Sequence, residues 1–327
     1  MRPLFIIILT LEVALIGAAI FMRTAPSRIE AQPVKDMTLT VRSIDTMKYS
    51  RDLAREKMND AAFDDEIKRQ VDLIKAAGAT HIAIDTPYDP EFIPMLMRWV
   101  GAARADGLSV WFRGNFSGWE QWFGYKRIDE STHKKLLASF IEDHRDIFKD
   151  GDIFTPCPEC ENGGIGDPRR TGKKKEYNDF LIDEYQIASD QFKQYGLSIS
   201  IYPSMNYDIA NEVLTKETAS KMGEGILIDH YVKSSVKFGD DIRKLQEKLG
   251  VPIGIGEFGA PIPDINGSMD EGRQAAFIDE LLTQAINSKV SVINYWTLKG
   301  GSTSLINSDN STRKAYTTLQ ERYLKQR

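Results

Sequence analysis

From residue 37 onward the sequence alternates short apolar runs, rich in β-branched residues, with longer amphipathic segments, and it does so eight times. The apolar runs fall at 39–44, 81–85, 108–113, 152–157, 197–202, 225–231, 252–257 and 290–296, each of strand length and bias. They read as nearly continuous apolar stretches, as strands buried on both faces do. Between them, segments such as 63–77 set Ile67, Val71 and Ile74 on one helical face beside charged neighbours, with Gly78 positioned to end the helix. The same periodicity covers 90–104, 132–148, 176–195, 209–222, 236–249, 271–288 and 311–323. Eight strand–helix units close into an α/β fold of the (β/α)8 (TIM) barrel type. A doubly wound sheet would usually carry fewer strands and a Gly-rich phosphate loop after the first, and the sequence has no such loop. With no interior linker, residues 37–327 are expected to form one barrel domain, preceded by a distinct segment at 1–28 and a linker at 29–36.

That first segment is a membrane-targeting one. Residues 4–22 are almost all apolar, interrupted by Glu12, with Arg23 and Arg28 beyond. Its length favours an uncleaved transmembrane anchor over the shorter core of a cleaved signal; either way the barrel is expected outside the cytoplasm, membrane-tethered or secreted. The net charge of −5 and a pI near 5.6 provide no field to attract phosphate backbones, so nucleic acid is not an expected partner. A monomer is expected. Cys157 and Cys160 share the C-x-x-C spacing of thioredoxin-like redox sites, but they close an apolar strand midway along a long chain, which favours a local disulfide or two small packing residues. With no histidine nearby in sequence the pair cannot complete a zinc site, and neither metal nor cofactor is expected. The basic run at 169–175 reads as a solvated loop.

In a barrel of this kind the active residues stand where the strands stop. Those positions hold Asp45, Asp85, Arg113, Glu159, Tyr202 with Asn206, Tyr231, Glu257 and Trp296. Two carboxyl groups facing one bond are what glycoside hydrolysis needs: one as acid/base, the other as nucleophile or as base for a water. Glu159 and Glu257, at the ends of the fourth and seventh strands, form the candidate catalytic pair, with Glu161 as a rival for the acid/base. The candidate substrate contacts are Arg113, Trp119, Trp122, Tyr202, Asn206, Tyr231 and Trp296. Trp119 and Trp122 belong to the aromatic loop at 115–125, which suits either a wall of a glycan cleft or packing onto the barrel rim.

Gly254-Ile255-Gly256-Glu257-Phe258-Gly259 resembles the nucleophile strand of clan A glycoside hydrolases, in particular the cellulase-like family 5 enzymes. Asn294-Tyr295-Trp296 resembles the clan's eighth strand, whose tryptophan floors the subsite at the cleavage point, and Tyr231 resembles its sixth-strand tyrosine beside the nucleophile. By position, Glu159 matches the fourth-strand acid/base. The resemblance implies a retaining two-glutamate glycosidase acting on a β-linked oligo- or polysaccharide without a cofactor. Two positions depart from it: Pro158 stands where the clan places an asparagine for the sugar 2-hydroxyl, and Asp229 where family 5 tends to carry a histidine.

Pro158 is also the feature that keeps a second function open, a non-catalytic, membrane-anchored glycan-binding barrel. Barrel enzymes of other classes have less support. Lys299 lies beyond the eighth strand, where a Schiff-base lysine would not, and only His230 stands near a strand end as a metal ligand would.

Overall fold

The computed structural model describes residues 39–326. The expected anchor at 1–28 and the linker lie outside them, and among the described residues no helix is long and apolar enough to cross a membrane.

The eight apolar runs form a ring of parallel strands: β1 (Val41–Asp45), β2 (His81–Ile84), β3 (Ser109–Phe112), β4 (Ile153–Phe154), β5 (Ser200–Ile201 continuing as Ser204–Asn206), β6 (Ile226–Asp229), β7 (Ile253–Phe258) and β8 (Val292–Tyr295). Each pairs with its neighbours in sequence, and β1 pairs with β8. The ring closes through β5, whose first piece pairs with β4 and whose second pairs with β6. Pro203, with no N–H to offer, divides the two pieces. The same reason shortens β4: Pro156 and Pro158 come after Phe154, so regular pairing stops there and only an isolated bridge from Pro158 to Ser204 continues it.

The helices that follow the strands around the ring include α1 (Phe63–Ala76), α2 (Ile93–Ala105), α3 (Glu130–Asp143), α4 (Lys174–Gln194), α5 (Lys216–Ser220), α6 (Ser235–Leu249), α7 (Glu271–Asn287) and α8 (Lys314–Leu324). Side chains of Asp129, Thr215, Ser234 and Asp270 cap four of them by accepting from backbone N–H groups in the first turn. The helix expected at 209–222 is broken, because Thr215 caps a new helix after Tyr207–Val213 has ended. The main apolar core lies between strands and helices, and a smaller cluster of Ala83, Trp111, Ile153, Tyr202, Leu227 and Val292 forms a separate layer. The basic run is exposed, as expected, but it is not a loop: Pro168–Thr171 is a short helix, and Lys174 and Lys175 begin α4.

Candidate active site

Strand β7 slips by one extra residue in its pairing with each neighbour. Its register with β6 jumps so that Asp229 faces Glu257, and its register with β8 shifts between Ile255 and Phe258. Such a bulge re-aims the side chains beyond it, and here it precedes Glu257. Gly256 makes the approach possible: a Cβ there would sit 2.3 Å from Asp229 Oδ1 and 2.6 Å from Ser204 Oγ. The Gly256 carbonyl accepts from Arg113 Nη1 at 2.7 Å and from Asn294 Nδ2 at 2.9 Å.

Arg113, 2% exposed, leaves the end of β3 and crosses to this point. Its Nη2 donates to Glu257 Oε1 at 3.0 Å, and the guanidinium lies 3.4 Å from both Asp45 and Asp229. The Tyr231 hydroxyl donates to the other oxygen of Glu257 at 2.8 Å. Glu257 is therefore gripped on both oxygens, one by a buried positive charge. Trp296 meets the Tyr231 ring edge-on at 6.3 Å, and its peptide bond to Thr297 is cis.

Glu159 stands just beyond β4 in a left-handed backbone conformation (φ +46°). Burial, reinforced by the Glu257 and Glu161 charges, pushes its carboxyl up to about 8. Asn206, at the end of β5, uses its amide to donate to Glu159 Oε1 at 2.8 Å and to Glu161 Oε1 at 3.0 Å. Glu161 is otherwise engaged: it accepts from the Asn206 backbone N–H at 2.9 Å and from the buried Tyr177 hydroxyl at 2.8 Å. It orients Asn206 while Glu159, with Glu257, lines a small cavity at the strand ends.

The same cavity is lined by Arg51, Asp85, Arg113, Glu120 and Trp122. Glu120 is pushed up to about 7 by burial, with Arg51 opposing. Burial raises Asp45 to about 6 and raises Asp85 and Asp229 well above the usual carboxylate range. One buried oxygen of Asp85 has no hydrogen-bond partner. Among the described residues no group of histidines, cysteines and carboxylates is arranged to hold a metal ion.

The structure thus brings together Glu159, Glu257, Arg113, Asn206, Tyr231, Trp296 and Trp122. It does not bring in Tyr202 or Trp119. The Tyr202 side chain belongs to the small apolar cluster and its hydroxyl donates to Glu224, which precedes β6 and so lies at the opposite end of the strands. Trp119 is wholly buried, stacked on Phe180 at 5.2 Å with its Nε1 donating to the Cys160 carbonyl. Arg113 forms ion pairs with Asp45, Asp229 and Glu257. Arg51 and Glu120 were not legible as site residues, since loops deliver them at no fixed offset from a strand; Glu120 does lie in the aromatic loop. Cys157 and Cys160 form a disulfide.

No family model matches the sequence, and no curated protein matches it. Solved structures do match in shape. A family 5 xyloglucanase from Paenibacillus pabuli superposes with a TM-score of 0.55 at 17% identity, over 79% of this chain and 90% of that one. A broad-specificity endoglucanase from Bacteroides salanitronis gives 0.58 at 16% identity, over 79% and 85%. The chain has the barrel fold of these glycoside hydrolases. A β-glucuronidase from Ruminococcus gnavus also matches, at 0.55 and 12% identity, over 80% of this chain and 46% of that larger one.

Proposed function

We propose that this protein is a retaining glycoside hydrolase acting on a β-linked oligo- or polysaccharide, with Glu257 as nucleophile and Glu159 as acid/base. The observation that carries the reading is the contrast between two carboxyl groups lining one cavity. Glu159 is pushed up to about 8 and so holds its proton at neutral pH, while Glu257 takes hydrogen bonds from Arg113 and Tyr231 on its two oxygens. This contrast supports Glu159 as the proton donor and Glu257, held by Arg113 and Tyr231, as the nucleophile. Glu257 attacks the anomeric carbon as Glu159 passes its proton to the departing oxygen. Glu159, now ionised, takes a proton from water, and the resulting hydroxide releases the sugar from Glu257. Tyr231 and Arg113 orient the nucleophile, and Trp296 and Trp122 supply apolar faces for sugar rings.

The apolar segment at 4–22 and the Cys157–Cys160 disulfide both support an extracytoplasmic location, by membrane tether or secretion. The test is hydrolysis of a panel of aryl β-glycosides and soluble β-glucans and mannans, with product anomers tracked by NMR. Loss of turnover in Glu257→Gln and a strong reduction in Glu159→Gln, with retention at the anomeric carbon, is the expected result. Turnover that survives Glu257→Gln overturns the assignment. Glycan binding without turnover by the native protein would favour the non-catalytic barrel.

A further inference from the structure

Glu159 does not stand on a strand. Regular pairing of β4 ends at Phe154, five residues earlier, so the sheet alone does not position this carboxyl. The chain instead makes a tight reversal, Cys157-Pro158-Glu159-Cys160, whose ends lie 5.4 Å apart and are joined by the disulfide. Proline at the second position of a turn and positive φ at the third is a pairing that usually places glycine or asparagine third. Here the third residue is a glutamate at φ +46° and ψ 48°, a conformation unfavourable for a long side chain unless its surroundings impose it.

The surroundings are built through the two cysteines, which are 2% and 0% exposed. Cys157 Sγ lies 3.7 Å from the Asn115 amide, and Asn115 Oδ1 accepts from the Phe116 N–H while meeting His133 Nε2 at 2.7 Å. The other ring nitrogen of His133 is 3.1 Å from buried Glu184. Cys160 is tied through its carbonyl to Trp119 Nε1 at 3.1 Å. Both ends of the turn are thus fastened to the β3 loop and, through His133, to α3. Glu159 is carried between them: its backbone N–H donates to the Ser204 carbonyl at 3.1 Å, while the Asn206 and Asn162 amides donate to its two carboxyl oxygens at 2.8 and 3.1 Å and so hold only the tip of the side chain.

We propose that the Cys157–Cys160 disulfide is the positioning device for the acid/base: it holds the left-handed turn that aims the Glu159 carboxyl at the leaving-group oxygen. The inference rests on the reading of Glu159 as acid/base. A misaimed acid penalises only substrates whose leaving group needs a proton, so two aryl β-glycosides of the sugar that the panel identifies separate positioning from folding. One carries dinitrophenolate, which departs unaided, and the other unsubstituted phenol.

In the full-length protein, Cys157→Ala/Cys160→Ala is expected to lower kcat/KM on the phenyl glycoside about 10- to 100-fold more than on the dinitrophenyl glycoside, the scale of a misplaced catalytic group. Pro158→Ala, which keeps the disulfide, is expected to hold the ratio of the two within about twofold, on the same scale. Equal loss on both substrates, or no loss, in the cysteine variant overturns the proposal; so does a selective loss in Pro158→Ala, the deciding variant if the cysteine pair does not fold. Glu159→Ala on the same pair of substrates tests the underlying reading separately. If it lacks the selective loss, the acid/base assignment fails. If it has that loss and the cysteine variant does not, only the positioning role fails.

Discussion

At the scale of single residues, the site works by giving like groups unlike surroundings. Glu159 and Glu257 are the same side chain, yet burial and neighbouring carboxylates push the first up to about 8 while the second faces a guanidinium and a phenol. That shift has a kinetic and a thermodynamic signature. The glycosylation rate should fall on the alkaline side as pH passes about 8, where Glu159 loses the proton it donates; an alkaline limb centred near 5 would contradict the assignment. Stability should respond in step. Below the unfolded carboxyl's ordinary value both states hold the proton, and nothing is lost. As pH rises toward about 8 the unfolded chain releases it first, so the native state is progressively penalised. Glu159→Gln removes that penalty. Its melting temperature should therefore exceed the native protein's above pH 8 and converge with it toward pH 4. A difference independent of pH would argue against the raised Glu159 value.

At the scale of elements, the strand ends were readable and the loops were not. Glu257, Arg113, Tyr231 and Trp296 could be located because a parallel barrel presents its strand ends at one face, so sequence position alone places them together. Tyr202 was misplaced because Pro203 interrupts β5 and moves its effective end to Asn206, leaving the tyrosine turned toward Glu224. The aromatic loop divides its two tryptophans by packing, which sequence spacing does not encode. Trp119 fills a buried slot against Phe180, with Gly163 and Gly164 so close that a Cβ on either would collide with its ring. Trp122 instead lines the cavity beneath Arg51, whose guanidinium carbon lies 4.5 Å from its ring centroid. Trp119→Ala should cost about 3–5 kcal/mol of stability, as large buried aromatics do, visible as a lowered denaturation midpoint. Trp122→Ala should raise KM with little change in that midpoint. A reversed pattern would mean that the two roles have been exchanged.

At the scale of the whole molecule, the barrel gathers five strand-end carboxyl groups about the Arg113 guanidinium at a single mouth. Asp45, Asp85, Asp229, Glu159 and Glu257 come from five different strands or their ends, and all have Arg113 among the charges acting on them or within 3.4 Å. The apolar segment at 4–22, expected from its sequence to target a membrane, is separate from these residues in the chain. Removal of residues 1–36 should leave kcat/KM on a soluble substrate unchanged within about twofold while moving the activity from the membrane fraction to the supernatant on sedimentation. Activity lost with the segment would make it part of the catalytic unit.

Hydrophobic period and chain order, being local properties, were enough to read the architecture and most of the residues at the strand ends. Which of these residues touch depended on packing. Gly256 places a bulge before Glu257, Pro203 turns Tyr202 away, and Glu161 is drawn off by Tyr177 and Asn206, leaving Glu159 to face the cavity. Each outcome depends on ångström-scale approach between segments far apart in the chain. So does the charge state of Glu159, which is set by what surrounds it in the folded barrel and not by its neighbours in sequence.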